Sequence, residues 1–187
     1  MARADGRLTA DLNPQDHGPQ DACGVIGIYA PGEEVSKLTY FGMYALQHRG
    51  QESAGMAVSD GRHMMVFKDM GLVSQVFDEA TLNSLQGHMA VGHTRYSTTG
   101  ASIWDNAQPT FRSRQGGDGL ALAHNGNLTN TGALEALIAE RAPDTEVPHK
   151  DRMDSSNDTS LVTALMTTYD GTLEEVAAQV LPRLQGA

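Results

Sequence analysis

The chain has one cysteine, Cys23, set in Asp-Ala-Cys-Gly-Val-Ile-Gly-Ile, where a polar leader gives way to an apolar run. A lone thiol can neither close an internal disulfide nor fill a metal cage, so a special role for it must come from nucleophilicity. Residues 1–22 are rich in Asp, Gln, Pro, Gly and Ala and show no apolar period, whereas Cys23 to Ala30 read as a buried strand. Cleavage before Cys23 would leave a free α-amine beside the thiol. An amine with a pKa of about 8 can take the proton of its own side chain near neutral pH. The alternative is a plain core cysteine, the commoner use of this residue type.

Three polar clusters offer further chemistry. Gln47-His48-Arg49-Gly50-Gln51-Glu52-Ser53 closes a helical stretch; Arg49 there is either a partner of the helix dipole, with Gly50 as the helix stop, or part of a binding loop. In Gly92-His93-Thr94-Arg95-Tyr96-Ser97-Thr98-Thr99-Gly100, an arginine at a strand end among hydroxyls suits a planar carboxylate, because its fork donates two parallel hydrogen bonds; an ordinary surface arginine beside a Ser/Thr turn is the other reading. In His124-Asn125-Gly126-Asn127, the Asn125 amide and the unshielded Gly126 backbone are donors of the oxyanion-hole kind, against the alternative of a simple Asn-Gly turn.

The elements that must position these groups are mixed α and β. Strands are predicted over Cys23 to Tyr29, Ser53 to Ser59, Arg62 to Lys68, His88 to Thr94 and Gly119 to Ala123, with Asp60-Gly61 as a hairpin turn. Helices are predicted over Glu34 to Gln47, with Val35, Leu38, Phe41, Gly42 and Ala45 along one face, over a short stretch capped by Asp78, and over Asn130 to Glu140. Arg141 to Ser156 reads as a loop and is followed by two more helices. In the last of these, Thr172 and Glu175 have capping-box spacing, Leu173, Val176, Ala177, Val180, Leu181 and Leu184 form a stripe, and Pro182 weakens the final turn. The alternation suggests an antiparallel sheet covered by helices, not a doubly wound fold.

Composition sets outer limits. With 13 basic and 23 acidic residues the formal charge is −10, which argues against nucleic acid or an anionic membrane as the main partner and favours a small metabolite. No segment approaches the roughly 20 apolar residues of a membrane span, and the leader lacks the apolar core of a signal peptide, so the expected location is cytoplasmic. One cysteine also excludes an iron–sulfur cluster held by this chain's thiols alone.

Taken together, Cys-Gly-Val-Ile-Gly-Ile, Leu-Gln-His-Arg-Gly-Gln-Glu-Ser-Ala-Gly, Gly-His-Thr-Arg-Tyr-Ser-Thr-Thr-Gly and His-Asn-Gly-Asn have the order and approximate spacing of the class II glutamine amidotransferases. From Asp21 onward the chain resembles their glutaminase domain. The forms Gln-His-Arg-Gly-Gln-Glu, Arg-Tyr-Ser-Thr-Thr-Gly and Asn106-Ala107-Gln108-Pro109 are most similar to the amidophosphoribosyltransferase branch of that class. The resemblance implies an α+β fold, the αββα sandwich of the N-terminal-nucleophile hydrolases, with two antiparallel sheets between helices and a truncated C-terminus. It divides the chain into a propeptide or disordered leader at 1–22 and an incomplete glutaminase domain at 23–187, with the phosphoribosyltransferase domain absent.

Carried onto this sequence, the resemblance makes Cys23 the nucleophile and gives Asn125 and Gly126 the oxyanion. Arg95, assisted by Thr98, would hold the glutamine α-carboxylate; Asp158 and the Gly50 carbonyl would hold its ammonium; Arg49 would hold the loop around the nucleophile. A solvated N-cap is the other reading of Asp158, and the family's Ser-Asp pair appears here as Asn157-Asp158. The implied reaction is glutamine amide hydrolysis, supplying ammonia for 5-phosphoribosylamine synthesis from phosphoribosyl pyrophosphate, the first step of de novo purine biosynthesis. No cofactor is expected in this chain, Mg2+ being implied for the absent domain. The expected partner is L-glutamine, with a homo-oligomer in the full-length protein and neither nucleic acid nor membrane. The competing expectations are a catalytically incompetent fragment or binding domain of the same fold, and the glutaminase domain of another class II amidotransferase.

Overall fold

The computed structural model describes residues 23–96, 102–114, 119–143 and 158–186. The leader at 1–22, Thr98, Asp154, Asn157 and most of the expected loop at 141–156 lie outside these residues.

Strand β1 (Gly24–Tyr29) leads into helix α1 (Val35–Ala45) and a 3-10 turn at Gln47–Arg49. The hairpin β2 (Ser53–Ser59) and β3 (Met64–Met70) turns where Asp60 and Gly61 predict it; Asp60 Oδ1 accepts the amides of Arg62 at 2.7 Å and His63 at 2.6 Å. Helices α2 (Val73–Val76) and α3 (Glu79–Ser84) follow, and the Asp78 side chain caps α3 by accepting Thr81 N–H at 2.7 Å. Next comes β4 (Met89–Arg95), which pairs antiparallel with both β1 and β2, so the first sheet has the order β1-β4-β2-β3. A second antiparallel sheet joins β5 (Thr110–Ser113) to β6 (Gly119–Leu122). Helices α4 (Thr131–Arg141), α5 (Asp158–Thr167) and α6 (Leu173–Val180) complete the order.

Each sheet buries one face under its own helices. Val35, Met43, Met56, Val58, Val73 and Phe77 form one core between the first sheet and α1 to α3. Leu120, Leu134, Ile138, Leu161, Leu165 and Val180 form the other between the second sheet and α4 to α6. The layers are therefore helix, sheet, sheet, helix, as expected. Alternation along β4 sends Ala90, Gly92 and Thr94 toward α1, and Val91, His93 and Arg95 toward the second sheet. A Cβ on Gly92 would meet Thr39 and Met43 of α1, which confirms that parity. At the far end the sheets part around an apolar cleft of about 470 Å³ lined by Tyr29, Ala57, Met64, Val91 and Ala121.

Two helix faces differ from the sequence reading. In α1 the buried side is Val35, Ser36, Thr39 and Met43, while Leu38 and Phe41 are 42% and 66% exposed. The smaller hydroxyl residues let the helix approach the sheet closely, and Ser36 donates to Leu82 O at 2.9 Å, so the apolar count misidentifies the face. Phe41 instead meets the Tyr40 ring edge-on. In α6, Val176 and Val180 are buried, but Leu173 and Leu181 are 59% and 54% exposed, because they flank the helix at its first position and in the 3-10 turn that Pro182 introduces. The Thr172–Glu175 capping box forms as read. Helix α2 and strand β5 have no counterpart in the sequence reading; both are four residues long, too short to show a period.

Candidate functional site

Cys23 precedes β1 and faces the inner, inter-sheet side, the same parity as Val25. Its Sγ lies 3.4 Å from the Tyr96 amide nitrogen, which donates to it, and 3.4 Å from the Tyr96 carbonyl, to which the thiol donates. The Cys23 carbonyl accepts two side chains from distant elements: Asn125 Nδ2 at 2.8 Å and Arg49 Nε at 3.3 Å. Both lone pairs of that oxygen are thus engaged. The thiol is partly exposed, and Asn125 and Gly126 are open to solvent. Cys23 and Asn125 therefore meet at one edge of the sandwich, although 102 residues separate them.

Arg95 ends β4 and is 7% exposed, with Nε donating to Asn106 O at 3.3 Å. Ser53 of β2 pairs with Arg95, and Gly50 packs against the same strand end: a Cβ there would stand 2.5 Å from the Thr94 carbonyl group and 2.7 Å from the Arg95 nitrogen. Only a glycine allows that approach. The Gly50 carbonyl accepts the Gln47 side-chain amide, whose oxygen takes the Val73 N–H at 2.6 Å, so the turn after α1 is tied to the start of α2. Arg49 and Gly50 thus build a wall of the site, one through Cys23 and the other through β4.

Asp158 opens α5. Its Oδ2 accepts Leu128 N–H at 2.8 Å, its Oδ1 accepts Thr159 N–H at 2.8 Å, and His124 Nδ1 lies 3.8 Å from Oδ1. Burial raises its pKa, but the neighbouring His124 and the two amide hydrogen bonds outweigh that and hold the carboxyl below its ordinary value. Asp158 thereby fixes the exit of the 124–128 loop as well as the start of the helix. His93, two residues before Arg95, is fully buried, and neither ring nitrogen has a hydrogen-bond partner among the described residues. Desolvation, opposed by the His124 backbone and aided by the Arg95 guanidinium and the His124 side chain, pulls its pKa down to about 4, so the ring is neutral at physiological pH.

Of the residues picked from sequence, the structure gathers Cys23, Arg49 and Asn125 directly, with Gly126 beside Asn125. Arg95 and Gly50 meet at the end of β4, and Asp158 stands at the far end of the 124–128 loop. Thr98 lies outside the described residues. Sequence reasoning missed the Tyr96 peptide, the Gln47 clamp and the role of Gln108, whose Oε1 accepts His124 N–H at 2.8 Å. The alternation of β4 carries the signal that Arg95 and His93 lie on the face that Val25 shares in β1, the strand that Cys23 leads into. Among the described residues, no group of three or more His, Cys, Asp or Glu is placed to hold a metal ion, and no helix is long and apolar enough to cross a membrane.

No family model matches the chain. Curated relatives do. An amidophosphoribosyltransferase of Mycobacterium tuberculosis is 52% identical over 189 residues, which cover 96% of this chain and 34% of the relative. One from Synechococcus elongatus is 60% identical over 139 residues, covering 71% of this chain and 28% of the relative. The chain thus spans about a third of the length of the relatives it matches. Among solved structures, glutamine phosphoribosylpyrophosphate amidotransferase from Bacillus subtilis, complexed with ADP and GMP, superposes with a TM-score of 0.71 at 35% identity, covering 87% of this chain and 33% of that one. The two-sheet, helix-flanked architecture is the N-terminal-nucleophile hydrolase fold of those neighbours. With half or more of its residues identical to theirs over most of its length, the chain belongs to the amidophosphoribosyltransferase family.

Proposed function

We propose that the chain hydrolyses the side-chain amide of glutamine, with Cys23 as an N-terminal nucleophile exposed by removal of residues 1–22, and that the natural protein passes the ammonia to phosphoribosyl pyrophosphate to form 5-phosphoribosylamine. The observation that supports this reading is the 2.8 Å hydrogen bond from Asn125 Nδ2 to the Cys23 carbonyl, which brings the Asn125 carboxamide to the backbone of the residue that bears the thiol. In the proposed reaction the freed Cys23 amine takes the thiol proton, and Sγ attacks the carboxamide carbon. The developing oxyanion is held by Asn125 Nδ2 and the Gly126 N–H. Each such donor is worth a few kcal/mol because it is fixed before the charge forms. Collapse of the adduct breaks the C–N bond, the leaving nitrogen takes the proton from the Cys23 ammonium, and ammonia departs. Water then cleaves the thioester to give glutamate and the free thiol.

Arg95, the buried cation at the end of β4, supplies the fork for the unreacting α-carboxylate, and Asp158 the charge for the ammonium. The resemblance implies Mg2+ only for a phosphoribosyltransferase domain, and no step here uses it. The test is N-terminal sequencing and mass of the active natural protein, together with glutamine hydrolysis by Cys23→Ala. A mature N-terminus at Cys23 and loss of hydrolysis with retained glutamine binding are expected. An active protein still beginning at Met1 or Ala2, or hydrolysis without the thiol, refutes the mechanism.

A further inference from the structure

The residues between the turn at Trp104–Asn106 and β5 lie between the two sheets, and three consecutive members are tied to different elements. Asn106 O accepts Arg95 Nε at 3.3 Å; Ala107 O accepts Lys68 Nζ at 2.6 Å; the Gln108 carbonyl lies so close to Gly55 of β2 that a Cβ there would overlap it. Lys68 also sits 4.7 Å from the centre of the Trp104 ring, whose Nε1 donates to Lys68 O at 3.1 Å. The strap is thus pinned to the inner face of the first sheet, and Asn106, Ala107 and Gln108 are all buried. The Gln108 side chain reaches the other way, to the loop that follows β6, where it accepts His124 N–H at 2.8 Å.

The 124–128 loop is held at its exit by Asp158, which accepts Leu128 N–H, and at Asn125 by the Cys23 carbonyl; Gln108 holds its entry, one residue before Asn125. We propose that Gln108 is a positioning residue for the oxyanion donors: by holding the peptide before Asn125 it aims the Asn125 carboxamide and the Gly126 N–H at the thiol. The inference rests on the reading of Cys23 as a glutamine-attacking nucleophile. It also means that one strap sets the distance between Arg95, through Asn106, and the oxyanion donors, through Gln108.

Two variants separate positioning from general damage: Gln108→Met keeps the volume and removes the acceptor, whereas Gln108→Glu keeps an acceptor oxygen. In Gln108→Met, hydrogen exchange of the His124 amide should accelerate by about tenfold or more, and kcat for glutamine hydrolysis by the natural protein should fall by about 10- to 100-fold with KM nearly unchanged. Alkylation of Cys23 by iodoacetamide, which needs no oxyanion donor, should keep its wild-type rate. Gln108→Glu should restore both the exchange protection and most of kcat. Unchanged His124 exchange or unchanged kcat in Gln108→Met overturns the proposal, as does a parallel loss of kcat, KM and thiol alkylation, or failure of Gln108→Glu to restore. Wild-type protein that exchanges as expected but does not hydrolyse glutamine refutes the functional reading itself, and the proposal falls with it.

Discussion

His93 sets a pH dependence of stability that can be worked out from its surroundings. The ring is fully buried on the inner face of β4, lies near the Arg95 guanidinium and His124, and titrates near 4 in place of the ordinary 6.5. The unfolded chain therefore takes up a proton near pH 6.5 that the folded chain refuses until about pH 4. The contribution to stability is complete above the unfolded value and is lost as pH falls through that window. A shift of this size, at 1.36 kcal/mol per unit, amounts to about 3 kcal/mol. In His93→Leu the proton site is gone and so is a buried ring whose nitrogens lack partners, so at pH 7.5 the variant should be as stable as wild type or slightly more so. Urea unfolding of both proteins from pH 8 to pH 4 should give curves that diverge below pH 6.5, wild type losing about 3 kcal/mol more by pH 4. Subtracting one curve from the other removes the histidines that are not coupled to His93. Curves parallel within about 0.5 kcal/mol, or a His93 imidazole that titrates near 6.5 by NMR, would refute the argument.

Recognition and chemistry should separate in the kinetics of the natural protein: Arg95→Lys keeps the charge but loses the fork and should mainly raise KM for glutamine, whereas Asn125→Ala should lower kcat by roughly two to three powers of ten with KM little changed. The opposite pattern in either variant removes the assigned role. Gly50→Ala drives a methyl into the Thr94–Arg95 backbone, which cannot yield as a flexible side chain could, and should cost about 1–3 kcal/mol in urea unfolding; an unchanged midpoint would show that the turn relaxes freely. Asp158→Ala leaves the Leu128 and Thr159 amides without their acceptor and should cost about 1–3 kcal/mol, with Asp158→Asn intermediate. Because its folded pKa is depressed, this contribution is present above the ordinary carboxylate value and is lost on further acidification, below the His93 window.

The elements themselves were largely legible because their signals are local. Asp78 and Thr172 announce helix starts through their own side chains, and Asp60-Gly61 announces a hairpin through its turn chemistry. The burial of α1 was not, since an apolar count cannot tell that Thr39 and Met43, and not Leu38 and Phe41, face a strand bearing Gly92. The candidate site could be read only as residue types in order, Cys23, Arg49, Arg95 and Asn125, while its geometry was hidden because each contact spans many residues. The pairing of Gln108 with His124 has no local signature: it depends on two sheets stacking face to face, and neither sheet carries a mark of the other.

The Asn125–Gly126 peptide has a further chemical consequence. A glycine after an asparagine leaves the next backbone nitrogen unhindered, so that nitrogen can close a ring on the side-chain carbonyl carbon, expel ammonia and leave an aspartate or isoaspartate behind. At this position such spontaneous ageing would turn the donor into an anion facing the Cys23 carbonyl. The hydrogen bond from Asn125 Nδ2 to that carbonyl restrains the carboxamide in the folded chain, and ring closure needs that side chain free to turn. The contact that ties Asn125 to Cys23 should thus also lengthen the working life of the molecule, and partly unfolded protein should lose function with time even where refolding is complete.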